Sequence, residues 1–94
     1  MKVDLTSCNT VDQIERAAFG AISGYPMVGG VPGARRYFDS IGASGRVREK
    51  TVFSEKKEVS QLWPHSSVTV HVVIKKYYVP GCSKCAYGYD LYIY

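Results

Sequence analysis

Cysteine is scarce in this chain, and odd in number: Cys8, Cys82 and Cys85. An odd count does not build the paired disulfide framework of a small secreted domain. Histidine is scarcer still, with only His65 and His71, and neither stands in a catalytic signature. No Gly-Lys-Ser/Thr phosphate loop, His-Glu-x-x-His, Gly-x-Ser-x-Gly or Asp-rich calcium loop occurs. Gly29-Gly30-x-x-Gly33 neither follows a clear strand nor opens a strong helix, so it does not read as a nucleotide cradle. A Cys–His dyad would be strained, because the cysteines sit at one hairpin end and His71 well down the strand. Long apolar runs are also missing; each is interrupted far short of the ~20 residues a membrane helix needs. Met1–Thr6 carries no signal-peptide core. These absences lead us to expect a cytoplasmic protein with no membrane span and no enzymatic activity.

The 94 residues are enough for one domain, 1–94, and too few for two. The composition is 46% hydrophobic and 21% charged, which is globular rather than disordered. Two excesses stand out: eight tyrosines, and a formal charge of +4.

Val3 and Leu5 alternate with Lys2 and Asp4, as in a short strand or arm. Thr10-Val11-Asp12-Gln13 has the form of a capping box, and acids at 12 and 15 suit the first turn of a helix. Val11, Ile14, Ala18, Ala21 and Ile22 recur at helical spacing, which predicts one amphipathic helix over about 11–23. Gly24 and Pro26 end it. A glycine-rich loop follows, then a short helix over about 34–41 closed by Gly42. Arg46–Glu58 reads as an exposed strand, broken by Leu62-Trp63-Pro64. Val68, Val70, Val72 and Ile74 alternate with Thr69, His71, Val73 and Lys75, and Tyr87–Tyr94 repeats the pattern.

The fold class is therefore α+β: the helix packs on a three- to four-stranded antiparallel sheet. A C-terminal β-hairpin over about 67–94 turns at the CxxC. A two-residue turn at Ser83-Lys84 would set Ile74 against Ile93, Lys75 against Tyr92, Tyr77 against Asp90 and Cys82 against Cys85. Both faces then come out consistent.

Cys82-Ser83-Lys84-Cys85 has the shape of half a zinc knuckle. Four readings stand: free structural thiols; zinc held by Cys82 and Cys85, with Cys8 or His65 as further ligands; a reversible hairpin disulfide; a redox pair. The last lacks the helix N-terminus that would lower a thiol pKa. Cys8 by itself reads as a small buried hydrophobe. No cofactor other than that zinc is implied.

Between residues 35 and 84 there are ten lysines and arginines against four acids. If the apolar faces of the strands meet the helix, His71, Lys75, Tyr77, Tyr92 and Tyr94 share the outer face. Arg35, Arg36, Arg46 and Arg48 add a basic segment. Lys beside Tyr suits single-stranded nucleic acid, since amines meet phosphates and rings stack on bases. Tyr and Arg equally mark protein hot spots, and Tyr also simply stabilises sheets. The candidate binding residues are Arg35, Arg36, Arg46, Arg48, Lys75, Tyr77, Tyr92 and Tyr94.

The expectation is a small non-enzymatic interaction protein that docks on a protein or nucleoprotein complex through a basic, Tyr-rich surface. In size and style it matches phage- or virus-type inhibitors and regulators of host machinery. The alternatives are a direct DNA- or RNA-binding module and a zinc-stabilised adaptor. An open edge strand also invites pairing with a second copy. Native mass spectrometry of protein prepared without chelator tests the adaptor: a zinc-free mass removes it.

Overall fold

The computed structural model describes residues 2–22, 35, 38, 39, 42, 45–60, 66–81 and 87–94. Helix α1 spans Val11–Ile22, followed by strands β1 (Arg48–Ser60), β2 (Ser67–Tyr78) and β3 (Gly88–Ile93). The strands form one antiparallel sheet in the order β1-β2-β3, with α1 against it. Among the described residues, no helix is long and apolar enough to cross a membrane.

The capping residues do what their chemistry requires. The Gln13 amide donates to Thr10 Oγ1 at 3.2 Å, while Gln13 Oε1 accepts the Asn9 amide at 2.6 Å. The Thr10 half of the box forms as expected, while Gln13 reaches one residue past the cap to the Asn9 amide instead of that of Thr10. Ile14, Ala18 and Ile22 are fully buried, one stripe at helical spacing. Val11 does not extend that stripe; it is 37% exposed at the first helical position. The preceding segment is an arm rather than a strand. Val3, Leu5 and Cys8 are buried with α1 and the sheet, and the Ser60 amide donates to the Asn9 carbonyl at 2.8 Å.

On the helix side, Val59, Val70, Val72, Ile74 and Tyr89 complete the main core, with Phe53, Leu91 and Ile93 partly buried against it. Val68, one step along the same alternation, is exposed because β3 stops short of it. A second, smaller core lies on the other face, where Phe38 and Tyr77 bury one another beside Val47 and Val79. Arg35, Phe38 and Asp39 are helical, and Gly42 donates its amide to the Asp39 carbonyl at 3.2 Å with φ 73°. That left-handed backbone is the usual glycine-bearing end of a helix. The expected helix ending around Gly24 and the break at Leu62-Trp63-Pro64 lie outside the described residues.

The β2–β3 register departs from expectation by two residues. Ile74 opposes Leu91, Lys75 opposes Asp90, Val73 opposes Tyr92 and Tyr77 opposes Gly88. Among the described residues the ladder ends at Tyr77–Gly88; beyond it Pro80 has no amide to donate and Gly81 adopts φ 76°. An even shift leaves every side chain on its expected face. It removes the argument that set Cys82 against Cys85, and both cysteines lie outside the described residues. On the other side of β2, Val52 is an extra residue in β1, a bulge between Thr51–Lys75 and Phe53–Ile74.

Ile14 contacts this core with no solvent exposure. Ile14→Ala is expected to cost about 2–5 kcal/mol, the range for truncating a buried aliphatic side chain. Urea unfolding followed by circular dichroism measures it.

Candidate docking surface

Alternation along β2 and β3 puts His71, Lys75, Tyr77, Tyr92 and Tyr94 on the face away from α1, as expected from their spacing. Their availability differs from expectation. Tyr77 is 2% exposed beneath Phe38, and its hydroxyl shares a 2.7 Å hydrogen bond with that of Tyr92. Burial, and then the bond to Tyr92, pushes the Tyr77 phenol well above its ordinary range. Lys75 Nζ lies 3.4 Å from Glu49 Oε1 and 5.4 Å from the centre of the Tyr92 ring. Arg35 pairs with Asp39 at 3.4 Å, which raises its pKa, and lies 5.9 Å from the centre of the Tyr77 ring. Its backbone amide donates to buried Asp90 at 3.2 Å. The outer-face cations named from the sequence are thus neutralised by their own chain.

The last two tyrosines remain accessible. The rings of Tyr92 and Tyr94 stack at 6.1 Å and 8°, and Tyr94 is 69% exposed. His71 lies 6.5 Å from Tyr94 and shares a 2.6 Å hydrogen bond with the Ser54 hydroxyl across the β1–β2 pair. Sequence separation hid this contact. Among the described residues no carboxylate bonds the other ring nitrogen, so the pair ties β1 to β2 and lacks the orienting acid of a hydrolytic triad.

The other basic residues gather at the end of the sheet where β1 starts and β2 finishes. Arg48 lines a half-open cleft of about 380 Å³ with Arg35, Val47, Glu49 and Tyr77. Lys50 and Lys76 are direct cross-strand neighbours, a like-charge pairing that costs stability. Lys76 Nζ sits 4.3 Å from the Tyr87 ring centre and 5.9 Å from that of Tyr78. Tyr87 in turn meets Tyr89 edge-on at 5.9 Å. The rings hold the Lys76 ammonium through their faces and do not cancel its charge. Among the described residues, no carboxylate forms an ion pair with Arg46, Arg48, Lys50 or Lys76.

The sequence reading named Arg46 and Arg48 but missed Lys50, Lys76, Tyr78 and Tyr87. A signal was present: the core alternation Val70, Val72, Ile74 turns polar at Lys76 and Tyr78, which marks where the main core ends. Arg36, His65, Cys82 and Cys85 lie outside the described residues. Among those described, no group of three or more His, Cys, Asp or Glu residues is placed to hold a metal ion, and Cys8 is in the apolar core.

Tyr77 generates a test. A folded-state pKa above that of the unfolded chain means the stabilisation is complete below about pH 10 and is lost as pH rises beyond it. The unfolded chain ionises there while the folded protein resists. Tyr77→Phe removes the hydroxyl bond to Tyr92, at a cost of about 0.5–1.5 kcal/mol at neutral pH. Its unfolding midpoint in urea should then fall less steeply than the wild type between pH 9 and about 11. Parallel curves would show that Tyr77 titrates as it does in the unfolded chain.

Compared with protein-family models, curated proteins and solved structures, the chain matches none of them, and this surface is read from its own chemistry.

Proposed function

We propose that this protein is a non-enzymatic interaction protein that docks on an acidic protein surface through the basic, Tyr-rich end of its sheet. One observation carries the reading: at the end of the sheet where β1 starts, Arg46, Arg48, Lys50 and Lys76 have no ion-pair carboxylate among the described residues, while Lys75 and Arg35 have theirs. Holding like charges side by side costs folding stability, and an acidic partner returns it. Tyr78 and Tyr87 supply half-buried rings with polar tips, the usual anchors of a protein interface. Such a protein acts by occupancy. By covering its partner's surface it inhibits or regulates whatever else binds there, in the manner of small phage- or virus-type regulators.

The nucleic-acid reading rests on a different observation, the exposed Tyr94 stacked on Tyr92, which leaves one ring face open to a base. Against it, Tyr87 and Tyr92 already have a cation over their rings and a second aromatic in contact. Few ring faces remain for base stacking.

Fluorescence anisotropy separates the two. The probes are a labelled Asp/Glu-rich peptide and labelled single- and double-stranded DNA and RNA of equal charge, titrated with salt. The peptide should bind at least as tightly as any oligonucleotide, and Lys50→Ala with Lys76→Ala should weaken it about tenfold or more. Tighter, steeply salt-dependent oligonucleotide binding that is lost in Tyr94→Ala would transfer the function to nucleic acid. No binding of any probe at low salt would dismiss the basic end as a docking site.

A further inference from the structure

Among the described residues the edge of β1 between Val52 and Ser60 pairs with no strand; that edge is self-complementary, and we propose that two copies of the chain pair through it, antiparallel about a two-fold axis at Lys56, to form one continuous sheet. His71 exchanges both backbone hydrogen bonds with Tyr94, so the odd residues of β2 bond toward β3 and the even ones toward β1. Through the β1 register, Phe53, Glu55, Lys57 and Val59 therefore bond inward to β2. Ser54, Lys56 and Glu58 must turn their amides and carbonyls outward, to the open edge. Ser60, the next in that series, does so visibly, since its amide meets the Asn9 carbonyl.

Outward groups can only pair with outward groups, which restricts the registers open to a second β1. In the register centred on Lys56, Ser54 pairs with the partner's Glu58, and Lys56 with the partner's Lys56. The alternate positions then fall on the helix-side face as close pairs without hydrogen bonds, the geometry that brings side chains nearest. There Glu55 meets the partner's Lys57, and Phe53 stands opposite the partner's Val59, whose side chain already lies in its own core, twice over by symmetry. Among the described residues neither Glu55 nor Lys57 has an ion-pair partner within its own chain, although Lys57 lies close enough to Asp4 to help lower its pKa.

The limits of the strip agree with the same register. The bulge at Val52 interrupts the edge at one end, and Asn9 occupies it at Ser60. Val52 and Ser60 are each other's mates across this axis, so both obstructions fall just outside the paired segment. One feature opposes pairing: lysine on an edge strand commonly prevents it. Here the two Lys56 side chains meet at the axis, with a Glu58 lying diagonally across from each.

Sedimentation equilibrium on the full chain should show a dimer at high micromolar concentration. Lys57→Glu, which sets two acids face to face at both symmetric positions, should raise the dimer dissociation constant about tenfold or more. The charge exchange Glu55→Lys with Lys57→Glu should restore it. Lys56→Cys should form an intermolecular disulfide between the two substituted positions, identified by peptide mass, because a hydrogen-bonded pair has a Cα separation of about 5.5 Å. Ser54→Cys should not, because its symmetry mate lies about 13 Å away. A monomeric mass at every concentration overturns the proposal. So does a dimer that is indifferent to Lys57→Glu and cross-links equally at both positions.

Discussion

β2 is hydrogen-bonded along both edges, to β1 over its whole length and to the C-terminal strand from His71 to Tyr77. That double pairing fixes which side chains face α1 and which face away, and everything else follows from the division. Val70, Val72 and Ile74 meet Ile14, Ala18 and Ile22 in the main core. Tyr77, one step out of phase, is sent to the opposite face, where Phe38 covers it and makes a second, smaller core. A sheet with one helix normally leaves a face to water. Here part of that face is closed, and the remainder is polar and internally paired.

The two faces handle charge in opposite ways. Outside, Glu49, Asp39 and the Tyr92 ring surround Lys75 and Arg35, so that face carries little uncompensated field. At the β1 start, Lys50 and Lys76 are held side by side, and ring quadrupoles are the main restraint on Lys76. Quadrupoles attract a cation without removing its charge, so the field remains directed outward.

Helix α1 and strand β2 were legible because their signals are local: a Thr-x-x-Gln cap with a three-to-four residue stripe, and alternating β-branched residues. The β2–β3 register was not, because alternation has a period of two and cannot detect an even shift. The faces of Lys75, Tyr92 and Tyr94 were therefore right while their cross-strand partners were wrong. The burial of Tyr77 depends on Phe38, a contact remote in the chain with no local signature. Lys76 and Tyr78 went unnoticed for a simpler reason. They continue a core alternation, and attention to its apolar members passes over the point where it becomes polar.

The bulge at Val52 bears on how this chain can change over generations. A strand within a sheet ordinarily cannot gain or lose one residue, since every side chain beyond the change would swap faces. At Val52, β1 already holds one residue more than the pleat requires. Losing it would straighten the strand while leaving Arg48, Lys50 and Phe53 where they stand. Val52 itself packs against the main core, so the loss would cost that contact, but every other side chain of β1 would keep its face.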